Sequence, residues 1–165
     1  MSNKVKLILT IVILGPGVLL SYYIAALNNP AGVDALWGGI PENLKVYYPI
    51  GMLIATIGFF PFTYLAVFKS EDHGRYILPY LLILIPSIAW MPLTVNYINY
   101  PSGLVWMIIR IVLILVPIGA ILLLSRMRKE HQGKPSGLLT AATIGLYGFI
   151  GHTLILDGII WPYYF

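Results

Sequence analysis

The sequence predicts an all-α integral membrane protein: one polytopic domain over residues 1–165, a bundle of five transmembrane helices with a cytoplasmic N-terminus and its C-terminus at the outer surface. Three observations predict this: the composition, five apolar stretches, and the placement of the basic residues. Of 165 residues, 59% are hydrophobic and only 10% charged, whereas a soluble domain carries about 25% charged residues. The chain's natural solvent is a bilayer. There is no cysteine, which excludes disulfides, thiolate metal sites and cysteine nucleophiles together.

The apolar stretches lie at residues 5–27, 46–68, 76–98, 103–124 and 137–160, each close to the roughly 20 residues that a helix needs to cross a hydrocarbon core. The first also has the basic start and apolar run of a signal peptide. Its run exceeds the usual length of about 7 to 15 residues and it lacks an A-x-A site, so a retained helix is expected. Cytoplasmic loops are rich in Lys and Arg. With the N-terminus inside, Lys4, Lys6, Lys69, Arg75, Arg126, Arg128, Lys129 and Lys134 all fall on the cytoplasmic side, leaving only Lys45 outside and Arg110 within a span. The closing "WPYYF" then reaches the outer surface, where Trp161, Tyr163 and Tyr164 suit the interfacial aromatic belt. A plasma or inner membrane is the expected location.

The connections are short except for "NNPAGVDALWGGIPENLK", residues 28–45. Loops of this length without secondary structure are uncommon and often functional. The segment reads either as an interfacial hairpin anchored by Trp37 or as a lid over a cavity that opens outward. Prolines interrupt four spans: Pro16; Pro49 and Pro61; Pro79, Pro86 and Pro92; and Pro117. Each interior proline frees a carbonyl that another group must satisfy. "GPG" at 15–17 predicts a kink in the first helix.

At about 100° per residue, Gly137, Ala141, Gly145, Gly148 and His152 share one face of the fifth helix, and small residues so spaced let another backbone approach. That face predicts a contact with another helix, either within the bundle or in a second copy or membrane partner docking on Gly137, Gly145 and Gly148. Asp157 follows His152 by five positions, about 140° around an α-helix, so the two are not expected to form a couple. Arg110 lies about 10 Å inside the fourth span, where an arginine is expensive unless it is paired or snorkels. Asp157, at a similar depth, is its expected partner. In the third span Pro79, Pro86, Trp90, Thr94 and Tyr97 form a stripe.

The embedded polar and aromatic groups therefore gather in the outer half of the bundle. This predicts a pocket beneath loop 28–45 for a lipophilic or aromatic small molecule to be bound or transported, with Arg110, Asp157, His152, Trp90, Thr94, Tyr97, Trp106 and Trp37 as candidate ligand-binding residues. A membrane-embedded enzyme acting on a lipid or sterol-like substrate, with His152 as acid or base, is the alternative. A third possibility is an accessory or assembly subunit of a membrane complex. No phosphate-binding, dinucleotide or hydrolase motif occurs. The three histidines are too scattered for a metal site. The basic run "RMRKEHQGK" at 126–134 reads as a topology signal and anionic-lipid contact, not as a nucleic-acid site.

The plan of five spans with a long first outer loop is similar, in topology, to the tryptophan-rich sensory proteins, which bind lipophilic ligands under that loop. Around the loop the chain reads "ALWGGIPENLKVYYP" and in its third span "PSIAWMPLTVNY", without that family's paired prolines and tryptophans. No residue roles are carried over from it.

Overall fold

The computed structural model describes residues 1–165. Five helices are long and apolar enough to cross a membrane: α1 (Asn3–Asn28), α2 (Glu42–Lys69), α3 (Gly74–Asn99), α4 (Gly103–Glu130) and α5 (Gly137–Tyr164). No strand is present. Ser2 caps α1 by accepting from the Val5 amide at 3.3 Å, and Ser136 caps α5 by accepting from Leu139 at 3.1 Å, which satisfies amides that a helix start leaves free. The predicted spans agree with these helices to within a few residues, except that α4 runs on past the apolar stretch to Glu130.

The helices do not pack in chain order. α1 packs on α3, α3 on α4, α4 on α5 and α5 on α2, whereas α1 and α2 meet closely only around residues 65–69. The section is an open ring whose gap lies between the first two helices. Where neighbours do touch, glycine sets the distance. A Cβ placed on Gly145 of α5 would stand 2.6 Å from the Gly58 carbonyl oxygen and 2.7 Å from its Cα, and one on Gly119 of α4 would stand 2.9 Å from the Pro79 oxygen of α3. Lipid tails are as apolar as leucine, so close backbone packing of this kind, not water exclusion, holds such helices together.

The small-residue face of α5 is thus used inside the chain. Gly145 meets Gly58, Gly148 meets Ile54, and His152 meets Gly51, all on α2, while Gly137 has open space around it and Ala141 is exposed. A partner docking on Gly145 and Gly148 would have to displace α2.

Two apolar clusters fill the ring at different heights. The one nearer residue 1 gathers Leu7, Phe62, Tyr76, Tyr80, Ile83, Leu123 and Met127. The one nearer residue 165 gathers Ala25, Ile40, Tyr48, Trp90, Met91, Ile109 and Trp161. One proline-freed carbonyl finds a side-chain partner: the oxygen of Arg75, released by Pro79 four residues on, accepts from the Arg126 guanidinium. At the same end the Glu130 carboxylate accepts from Ser70 Oγ at 2.9 Å, the Glu71 amide at 2.7 Å and the Tyr76 hydroxyl. This ties the α2–α3 turn to the end of α4.

Replacing Glu130 with alanine strands three donors, so thermal unfolding is expected to show a loss of about 1–3 kcal/mol. Glu130 stands beyond the apolar part of α4. Burial pushes its carboxyl up, but the hydrogen bonds from Tyr76, the Glu71 amide and Ser70 outweigh that and hold it below the ordinary 4.5. Its contribution is therefore complete above the unfolded value and is lost as pH falls through the lower folded one. An unfolding midpoint that Glu130→Ala leaves unchanged in neutral buffer would remove this role.

The loop between α1 and α2 is not structureless. It forms a 3₁₀ turn, Val33–Trp37, and is tied to the chain's last residues. Gly39 donates to the Tyr164 carbonyl at 2.8 Å, and the Trp161 indole donates to the Leu36 carbonyl at 2.9 Å. Gly38 has φ of 56°, a left-handed conformation that favours glycine. A Cβ there would also lie 2.6 Å from the Phe165 ring, so position 38 demands glycine twice over.

Candidate functional site

Between the two apolar clusters lies a cavity of about 530 Å³ to which all five helices contribute. Its walls are mainly apolar, with Ile11, Phe59, Ile83, Val116 and Phe149 among them, and its polar groups come from Tyr22, Thr56, Ser87, Trp90, His152, Thr153 and Asp157. The size lies within the range of about 300–1,000 Å³ usual for small-molecule sites. Pro16 and Leu19 of α1, and Met52, Thr56 and Phe60 of α2, line the cavity and are exposed on the outside of the bundle. They flank the gap between α1 and α2, so the cavity faces sideways, toward what would be the acyl region of a bilayer.

His152 and Asp157 are together after all. His152 Nε2 stands 3.5 Å from Asp157 Oδ2, with both side chains 8% exposed. The 140° separation expected for an α-helix fails because Gly151–Ile160 is wound as a π-helix, in which residue i bonds to i+5 and not i+4. The amide of Trp161, for instance, bonds to the Leu156 carbonyl. Residues five apart then stack one above the other. Pro162, which has no N–H, follows directly, and the Tyr48 hydroxyl donates 3.1 Å to the same Leu156 carbonyl, bracing the wide turn from α2. The i,i+5 spacing of two polar residues in an otherwise apolar helix was the sequence signal for this winding. Such turns are rare and favour functional sites.

Arg110 does not join them. It is exposed on the outer side of α4, in a shallow groove with Trp106, Met107, Ile111, Ile114 and Leu115, and no carboxylate lies within ion-pair distance of it. Its long stem can carry the guanidinium toward the end of the helix at Gly103. The expected pairing of Arg110 with Asp157 is therefore replaced by the pairing of His152 with Asp157, a change of partner that follows from the π winding.

The remaining candidates divide. Trp90 lines the cavity; Thr94, Tyr97, Trp106 and Trp37 do not. Thr94 is fully buried and donates to the Trp90 carbonyl at 3.0 Å. Tyr97 packs tilted against Trp106 at 5.2 Å, Trp106 stacks on Phe165 at 6.0 Å, and Phe165 stacks on Trp161 at 4.2 Å. Trp37 packs edge-on against Tyr48 at 5.3 Å. These rings form a roof above the cavity, and loop 28–45 lies on that roof without reaching the cavity wall. Pro16 and Gly15, assigned from sequence to a kink alone, are wall residues within an unbroken α1.

Three buried polar atoms have no hydrogen-bond partner: Trp90 Nε1, His152 Nδ1 and Asp157 Oδ1. All three belong to residues that line the cavity. Orphaned groups of this kind are rare, because each costs roughly 1–3 kcal/mol. Thr56, Ser87 and Thr153 in the wall are satisfied locally, donating to the Met52 carbonyl at 2.7 Å, the Ile83 carbonyl at 2.7 Å and the Phe149 carbonyl at 2.9 Å. No group of three or more His, Asp or Glu side chains is arranged to hold a metal ion. Comparison of the chain with protein-family models, with characterised protein sequences and with solved structures finds no match in any of the three.

Proposed function

We propose that this is a multi-pass membrane protein that binds a lipophilic small molecule, admitted from the bilayer through the gap between α1 and α2. The observation that carries the reading is one apolar cavity, open sideways, whose lining includes a few polar residues, Tyr22, Trp90, His152 and Asp157 among them. Apolar walls with a few orienting polar groups are the general anatomy of a ligand site. A sideways mouth favours a ligand that partitions into lipid and takes the place of the outward opening under loop 28–45, the lid reading of that loop and not the hairpin one. With α1 and α2 barely in contact, the entrance can widen without breaking a packed interface. Transport, as distinct from binding, would need a second opening on this same path.

The test is to fill the cavity. Ala55 is buried in its wall, and Ala55→Phe is expected to lower saturable binding of lipophilic probes by at least about tenfold, as a wedge in a filled site does. Arg110→Ala, outside the cavity, is expected to bind as wild type does. Equal binding by Ala55→Phe and wild type in nanodiscs would refute the proposal.

The His152–Asp157 couple supports a second reading, an enzyme that moves a proton on the bound lipophile, since a carboxylate beside an imidazole orients it for acid–base work. Turnover lost in His152→Gln while binding is retained would establish that reading. Unchanged turnover would end it.

A further inference from the structure

We infer that the groove around Arg110 on the outside of α4 holds an anionic phospholipid, its phosphate on the guanidinium and an acyl chain along Ile111, Ile114 and Leu115. The inference rests on the residence of the chain in a bilayer and not on the cavity, whose wall does not include Arg110.

Arg110 has no counter-charge within the chain. The ion pairs belong to other residues, and the two cation–π contacts are those of Lys4 and Arg128. Its neighbours along the groove are apolar and face outward too, Met107 being 53% exposed and Ile111 51%. An arginine among lipid-facing apolar side chains is costly until an anion meets it. That anion must come from outside the chain.

The depth of Arg110 matches a headgroup. A hydrocarbon core of about 30 Å, measured along α4 from Arg126, ends near Trp106 at 1.5 Å per residue. Tryptophan suits that interface. Arg110 then lies about 6 Å below it, a distance that its long stem can cover. The planar guanidinium takes two phosphate oxygens side by side, while the apolar residues deeper in the groove face the acyl chains. A second copy of this chain offers no carboxylate at that level. Asp157 is buried and faces His152, Glu42 is held by Lys45, Asp34 belongs to the loop, and Glu71, Asp72 and Glu130 lie at the other end.

Net charge selects among lipids. Lys45, the other cation toward this end of the bundle, is already paired with Glu42 at 2.6 Å. A zwitterionic head would bring a further cation to Arg110, whereas an anionic head brings the missing negative charge.

The basic residues at the opposite end also attract anionic lipid, so the test must be local. The chain has no cysteine, and one introduced cysteine therefore gives one label. Ile111→Cys in the groove and Ile155→Cys on α5 are compared, each carrying a bimane; both positions are 51% exposed and lie about 12–14 Å from the nearer end of their helices. The proteins are placed in phosphatidylcholine vesicles containing acyl-brominated phosphatidylglycerol or acyl-brominated phosphatidylcholine, and quenching is measured. At Ile111 the phosphatidylglycerol is expected to be enriched about fivefold over its bulk share, the attraction of one basic residue for an anionic lipid. At Ile155, and at Ile111 once Arg110→Gln is added, the enrichment is expected to vanish. Equal quenching by the two lipids at Ile111, or a preference that survives Arg110→Gln, would overturn the inference. So would weak quenching by both lipids at Ile111 alone, which would show the groove covered by protein. No quenching at either position would place both outside the acyl region and overturn the membrane reading itself.

Discussion

Gly145→Leu is expected to keep α5 from docking on α2 and so to abolish the folded bundle. At this crossing the two backbones themselves are in contact, and a Cβ on either Gly58 or Gly145 would stand within 3 Å of the other's Cα and carbonyl oxygen. No flexible side chain is there to yield. Overpacking a core costs typically 1–3 kcal/mol when neighbours can shift; here one helix must move bodily, so the loss should exceed about 3 kcal/mol for leucine and reach about 1–3 kcal/mol for alanine. In a membrane no hydrophobic term restores the contact once the backbones part. Moving α5 off α2 also separates His152 from Gly51 and opens the cavity, so stability and binding should fall together. Gly58→Ala should match Gly145→Ala, and the double variant should cost less than the sum, because both act on one contact. A monodisperse Gly145→Leu protein with wild-type thermal unfolding would show that this crossing does not hold the fold.

Trp161→Ala is expected to have the next largest effect, about 3–5 kcal/mol by the usual cost of deleting a buried tryptophan. The ring is 2% exposed. It stacks on Phe165 at 4.2 Å, meets Trp90 at 5.7 Å and Trp106 at 5.9 Å, and its indole bonds the Leu36 carbonyl. One side chain thus joins the roof rings, a wall residue of the cavity and the loop between α1 and α2. Its loss should release the loop as well as the rings, so limited proteolysis should cut within 28–45 much faster than in wild type. Trp161→Phe keeps a stackable ring but loses the hydrogen bond and part of the buried indole, for a smaller cost of about 1–3 kcal/mol. If the loop in Trp161→Ala resists protease as wild type does, the tie from Trp161 to Leu36 is not what holds it.

Much of this architecture was legible because membrane helices obey one-dimensional rules. The length of an apolar run decides whether it spans, and 103–124 or 137–160 needed no partner to be recognised. The spacing of small residues gave the right face of α5, with Gly145, Gly148 and His152 on one side. Of the stripe on α3, Pro79, Pro86, Trp90 and Thr94 are buried and Tyr97 is half-buried. These are regularities of an ideal α-helix, and where the helix is ideal they hold.

They failed where the helix is not ideal. The angle that set Asp157 apart from His152 assumed 3.6 residues per turn, and the Gly151–Ile160 segment does not keep it. The pairing of Arg110 with Asp157 came from a second rule, that an arginine inside a span needs a partner, with Asp157 the only carboxylate at a similar depth; the exposed Arg110 on the outer side of α4 does not need it. Tyr22, Ser87 and Pro16 were missed as wall residues for another reason. Which helices neighbour each other is a fact about packing, and the ring order α1, α3, α4, α5, α2 is written in no single segment.

By itself the sequence determined the number of long apolar helices, their approximate limits and the face of α5 that carries Gly145 and Gly148, because those depend on composition and local period. Only the tertiary structure decided that the first two helices stand apart, that the π winding couples His152 to Asp157, and that the aromatic residues near the ends close a roof above a cavity instead of lining it. Those depend on contacts between segments distant in the chain, where a glycine against a glycine or a tyrosine hydroxyl on a carbonyl outweighs the ideal geometry of the helix it touches.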